Sequence, residues 1–95
     1  MVVGICKIKL FIHGSNSLKE KRKSLRKIKD RTQNKFKIRV AEVGYLDNRK
    51  TSEVGFSVVS NDSKFAVSLI DKITYFIQEL NAGEISDRET DIIHF

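Results

Sequence analysis

The spacing at which apolar residues recur switches back and forth along this chain, and the order of those switches limits the fold more than any other feature. From Val2 to Ile12 the period is two. Cys6, Ile8, Leu10 and Ile12 point one way and Lys7 and Lys9 the other, as in a half-buried strand. His13-Gly14-Ser15-Asn16 makes a polar loop, and Ser17 with Glu20 three residues on is a capping box that opens a helix at Leu18. Leu18, Leu25, Ile28 and Thr32 share one face of that helix, with the stems of Lys21 and Lys29 flanking the stripe and their ammonium groups reaching out to water. Period two returns at Phe36, Ile38 and Val40, alternating with Lys37, Arg39 and Ala41, and predicts a second strand ending near Gly44. Asp47-Asn48 supplies turn chemistry before a third strand, Thr51 to Ser60, whose buried row is Val54, Phe56 and Val58. Asn61 or Asp62 caps a second helix, where Phe65, Leu69, Ile70, Ile73, Phe76, Ile77 and Leu80 keep helical spacing and Gly83 stops it. Glu84 to Phe95 alternates weakly around Ile92, Ile93 and Phe95, and its acids suit an exposed edge strand.

The resulting order, βαββαβ, is that of a ferredoxin-like α+β sandwich, with both helices on one face of a four-stranded antiparallel sheet. In the strand order 4-1-3-2, the two strands with the richest apolar rows lie in the centre, and the basic second and acidic fourth strands form the edges. The far face of the sheet then stays open to water with Lys7, Lys9, Lys37 and Arg39 on it, a second basic surface. The chain's 95 residues make one domain, residues 1–95. A single cysteine, Cys6, forms no intramolecular disulfide and sits among apolar residues, so a reducing cytoplasm is the expected compartment. No apolar run approaches the roughly 18 residues of a membrane span, and Lys7 and Lys9 interrupt any signal-like stretch.

Charge supplies the functional clue. Eleven of the eighteen basic residues fall between Lys19 and Arg39, opposed only by Glu20 and Asp30, so that stretch carries +9 while the other seventy-four residues carry −3. Within the first helix, Lys19 and Lys23, Arg22 and Arg26, Lys23 and Lys27, and Lys27 and Arg31 are like-charged neighbours one turn apart. Each such pair costs roughly 0.2 to 0.5 kcal/mol in an isolated helix, which a phosphate backbone would relieve. Lys19, Arg22, Lys23, Arg26, Lys27 and Arg31, together with Lys37 and Arg39, are therefore the candidate nucleic-acid contacts. The arginines suit bidentate phosphate contact and the lysines point-charge contact. The bland alternative is a solvated, solubilising helix face.

The segments Ser17-Leu18-Lys19-Glu20-Lys21-Arg22, Ala41-Glu42-Val43-Gly44 and Val58-Val59-Ser60 resemble the YlxP-like small bacterial proteins, catalogued as a domain of unknown function. The resemblance covers nearly the whole chain, and the helix-opening segment is its most specific part. It implies a cytoplasmic bacterial protein of ferredoxin-like fold, often encoded beside genes for translation initiation and ribosome maturation. It implies no biochemical activity, and it raises ribosomal RNA or a ribosome-associated particle as the partner.

Catalytic readings find less. The loop His13 to Ser17 meets a helix N-terminus, where ferredoxin-like acylphosphatases cradle phosphate, but the Gly-rich loop ending in Arg is missing and Thr51 to Ser60 holds no Asn. Gly14 with Lys19 lacks the remainder of a P-loop. His13, His94 and Cys6 show no metal-ligand spacing, no cofactor motif is present, and Ser15 and Ser17 beside His13 have no carboxylate placed by sequence to orient the imidazole. Base stacking on the sheet has one candidate, Phe11, which reads as packing. The expected protein is a non-catalytic binder that contacts RNA or a ribosomal surface through its first helix. A homodimer or another protein complex on the open sheet face is the alternative, and small-molecule regulation is a third.

Overall fold

The computed structural model describes residues 1–95 and has six elements: β1 (Val2–Phe11), α1 (Leu18–Phe36), β2 (Ala41–Gly44), β3 (Thr51–Ser60), α2 (Ser63–Glu79) and β4 (Glu84–His94). The sheet order is β2-β3-β1-β4 and every pairing is antiparallel, which is the expected ferredoxin-like arrangement. In β1 the even-numbered residues Val2, Cys6, Ile8, Leu10 and, just beyond it, Ile12 are buried against the helices, with Val54, Phe56 and Val58 beside them on β3. Gly4 belongs to this row because α2 comes so close that a Cβ there would lie 2.7 Å from Ile70 Cδ1. No helix is long and apolar enough to cross a membrane.

α2 covers the sheet with Ala66, Ile70, Ile73 and Ile77, all fully buried, while Leu69 and Leu80 pack at the margin. Phe65, expected in that row, is 58 % exposed, because the buried stripe is centred one residue later, on Ala66. Asp62 is the cap, its carboxylate accepting the Lys64 N–H at 2.9 Å. The helix ends at Leu80 and Asn81, the latter left-handed with φ 57°, two residues before the glycine expected to stop it. Arg88 on β4 ties the edge strand to this helix, donating to Asp71 Oδ1 at 2.9 Å and Thr74 Oγ1 at 3.1 Å.

The second strand is shorter than its alternation predicts. α1 runs on through Phe36, whose ring meets Phe76 edge-on at 5.4 Å, and the chain turns only at Lys37. Val40 is buried and Ile38 packs on the core, so the alternation read from Phe36 onward reflects real burial from Ile38. No ladder accompanies it: the pairing begins at Ala41, and the Val40 N–H goes instead to Gln33 Oε1 at 2.8 Å. Lys37, the left-handed cap of α1, and Arg39 therefore precede the paired ladder, where both were expected on a strand of it.

The open face differs from expectation in sign as well. Lys7 and Lys9 are on it, but the register sets Glu53 of β3 and Glu84, Asp87, Glu89 and Asp91 of β4 on the same side. Two lysines against five carboxylates make this face acidic, net −3. Lys7 lies between Glu53 at 4.0 Å and Glu89 at 3.9 Å, and Lys9 sits over the Tyr45 ring at 4.9 Å.

Candidate functional site

α1 starts where its sequence says it should. Ser17 is extended at φ −151°, and its Oγ accepts the Glu20 N–H at 3.1 Å. The reciprocal bond closes one residue earlier than in the usual box, with Glu20 Oε2 accepting the Asn16 N–H at 2.8 Å. Ser15, buried, donates its hydroxyl to Ser17 O at 3.2 Å and Arg49 O at 2.7 Å, which fastens this loop to the β2–β3 hairpin. Two amides at the start of the helix, those of Asn16 and Glu20, are thus held by the chain's own side chains, one of them a carboxylate.

Leu25, Ile28 and Thr32 face the core from α1. At about 100° per residue, Arg22, Arg26, Lys19, Lys23, Lys27 and Arg31 occupy the opposite arc, roughly half the helix circumference. All six are exposed. None makes an ion pair: the salt bridges of the molecule are Lys7 with Glu53 and Glu89, His13 with Glu84, Lys21 with Glu42, and Arg88 with Asp71. Glu20 is engaged at the cap, and Asp30 is the remaining acid on the arc. Of the eight candidate contacts, the structure therefore brings six together. Lys37 is the left-handed residue capping α1 and Arg39 lies in the stretch leading to β2; both are exposed and extend the basic surface past the helix end. A cleft of about 510 Å³ runs between Lys23 and Lys27 on one side and Ile12–Ser15 with Asn81–Ala82 on the other.

Lys21 behaves unlike its neighbours. Expected to reach outward, it is fully buried. Its Nζ donates to Tyr45 O at 2.8 Å and Thr51 O at 3.1 Å and pairs with Glu42 Oε2 at 3.1 Å, which satisfies the three protons of an ammonium. Glu42 Oε2 also accepts the Ser52 hydroxyl at 2.7 Å. This node joins α1 to both strands of the β2–β3 hairpin and to its loop, where Tyr45 is left-handed at φ 58°. A signal for it existed in the spacing, since residues 21, 25, 28 and 32 follow a 4-3-4 pattern that puts Lys21 on the apolar stripe itself.

His13 does meet a carboxylate, that of Glu84, which pairs with its Nε2 at the exposed junction of the β1–α1 loop and β4. Neither serine hydroxyl near it is bonded to the imidazole, since Ser15 bridges two carbonyls and Ser17 caps the helix. Phe11 packs edge-on against His13 at 4.7 Å. Burial pushes the Cys6 thiol above its ordinary pKa of 9.0, so it stays protonated and poorly nucleophilic.

Comparison with known proteins agrees with this architecture. The family described as "Protein of unknown function (DUF503)" matches residues 3–90. The uncharacterized protein YlxP of Bacillus subtilis (strain 168) is 32% identical over 76 residues, 80% of this chain and 83% of that protein. Among solved structures, a structural-genomics structure of protein YJCS superposes with a TM-score of 0.54 at 13% identity, covering 97% of this chain and 99% of that one. A REP-associated tyrosine transposase bound to a REP hairpin gives a TM-score of 0.50 at 11% identity, covering 98% of this chain and 56% of that one. At such identities the two structures share the fold with this chain. Two of the segments that resemble YlxP-like proteins, Ser17 to Arg22 and Ala41 to Gly44, meet in space at the Lys21–Glu42 pair.

Proposed function

The chain belongs to the DUF503 family, whose description assigns no activity, and from its surfaces we propose that it is a non-catalytic, cytoplasmic protein that binds structured RNA or a ribosomal particle through the outer face of α1. The observation that carries this reading is the set of six exposed, unpaired cations on one arc of one helix. Carboxylates are available in the molecule, but the fold places five of them on the opposite face of the sheet, where they cannot neutralise α1. A solvated surface has no need of such segregation, and interspersed signs would serve solubility better. Uncompensated cations on a rigid helix gain most when they displace counterions from a phosphate backbone.

Recognition of this kind follows backbone charge and shape, since the face offers arginine and lysine but no aromatic platform for bases. Arg22 and Arg26, adjacent on the arc, fit bidentate contact with one phosphate group each; Lys19, Lys23 and Lys27 act as point charges beside them. The absence of catalysis in this proposal rests on the loop at the α1 N-terminus, where Ser17 and Glu20 are committed to capping and Ser15 to two backbone carbonyls.

Replacing Arg22, Lys23, Arg26 and Lys27 together by Gln tests the reading, because all four lie off the buried stripe and the fold should be unaffected. Binding to purified small ribosomal subunits and to free structured RNA, measured at two salt concentrations, should weaken across all RNA sequences alike. The slope of log affinity against log salt should fall by roughly one per phosphate contact removed. Unchanged affinity in the variant would reduce α1 to a solvated face.

A further inference from the structure

The open face of the sheet carries an apolar patch that the RNA reading leaves unused. Val59, Val3 and Ile93 stand side by side across β3, β1 and β4, and Ile5 follows Val3 along the central strand. Val59 is 66 % exposed and Ile93 45 %, although both lie in a sheet whose other face is a dry core. The same alternation carries Met1 and Phe95, joined by backbone hydrogen bonds in both directions, onto this end of the face. Exposed aliphatic side chains are common singly, but a contiguous group of this size marks an interaction surface.

We propose that the occupant of this face is a second copy of the chain, packed sheet to sheet about a two-fold axis parallel to the strands and lying between β1 and β3. The register is what selects this partner. Val3 pairs with Val59 and Lys9 with Glu53, so an axis that exchanges β1 and β3 sets each Val3 over the partner's Val59 and each Lys9 over the partner's Glu53. Lys7 then lies over the partner's bare backbone at Gly55, which leaves room for its stem. The acidic β4 lies over the partner's β2 edge, into which the unpaired Arg39 leads. Apolar end meets apolar end and Lys9 meets Glu53 twice over, the self-complementarity an isologous interface requires.

Size agrees with a stable pair. Strands about 4.8 Å apart and rising about 3.3 Å per residue give this face a projected area of roughly 600 Å², and the accessible area of side chains standing on it is larger. That approaches the ~800 Å² per partner of an ordinary specific interface. The net charge of −3 on the face repels a phosphate backbone, so RNA is not its occupant, and it opposes dimerisation weakly at low salt. Apolar contact therefore holds this dimer, and screening strengthens it.

Sedimentation equilibrium of the intact protein at low and high salt tests this. The proposal expects a mass twice the 10.9 kDa of the chain, retained or strengthened at high salt. The paired substitution Val59→Lys and Ile93→Lys should weaken dimerisation by roughly a hundredfold or more, since each would bury an ammonium against aliphatic side chains. Val59→Ser serves as a second variant that adds no charge, and far-UV circular dichroism of both checks that the fold is kept. A monomer at every concentration and salt would overturn the proposal. So would a dimer indifferent to these substitutions, or association lost at high salt, which would instead place α1 of one copy on the acidic face of another. Masses that climb without limit would indicate a head-to-tail contact and overturn it equally.

Discussion

Lys21 shows at the scale of one residue how far local pattern reaches. Its place in the 4-3-4 spacing of the α1 stripe is visible in the sequence, yet a lysine on such a stripe ordinarily bends its stem away and keeps its ammonium in water. What holds it inside is non-local: Glu42 and the carbonyls of Tyr45 and Thr51 lie 21 to 30 residues further on, brought under the helix only by the finished hairpin. Taking an ammonium out of water costs several kcal/mol, and the carbonyls and carboxylate offset this only while all are in place. Lys21→Met should therefore lower stability by about 3 to 5 kcal/mol in urea unfolding, because Glu42 is left partly buried without its counterion. Adding Glu42→Leu should recover part of that loss, since no buried charge then remains. If the single variant unfolded like the wild type, the node would be incidental to the hairpin.

At the scale of elements, the centres of helices and strands were legible and their ends less so. The capping box announces the start of α1 because Ser17 and Glu20 act within a single turn. The end of α1 has no such local mark. Gln33 and Lys35 favour a helix and Asn34 disfavours it only mildly, so nothing local stops it, and Phe36 stays helical with its ring against Phe76 on the other helix. The turn then falls on Lys37, a residue with a Cβ held at φ 56° and ψ 43°. A left-handed conformation costs a residue with a side chain roughly 1 to 2 kcal/mol that glycine does not incur. Lys37→Gly should accordingly raise stability by about 1 kcal/mol, read as a higher urea midpoint at unchanged slope. Because Lys37 lies past the helix arc, the same variant should lose less RNA affinity than any single Gln substitution among Arg22, Lys23, Arg26 and Lys27.

Strand order was legible at the scale of the whole molecule, since only β1 and β3 carry apolar rows rich enough for the centre of a sheet covered on one side. The charge of the open face was not. It depends on which residues of β3 and β4 stand beside Lys7 and Lys9, and that is a property of register and of the irregularity between Lys9 and Leu10. Segregated charge should make the two proposed surfaces respond to salt in opposite senses. RNA affinity should fall as salt rises while sheet-to-sheet association should strengthen, so light scattering and RNA binding followed through one salt titration should diverge. Parallel loss of both would mean that a single electrostatic contact underlies them.

Both helices lie on the same side of the sheet, and this has a consequence for valence. Anything seated on the open face leaves α1 bare on the outside of the assembly. Two copies joined there form four layers, helix, sheet, sheet and helix, with the outer layers about 30 Å apart at ~10 Å per step. Such a pair would present two basic helices on a rigid spacer, facing away from each other. A folded RNA that offers backbone at both positions would be held with an avidity ~10² to 10⁴ above that of either helix alone, and an RNA offering backbone at one would gain nothing. Selection among RNAs would then lie in the distance between two strands, with no base being read.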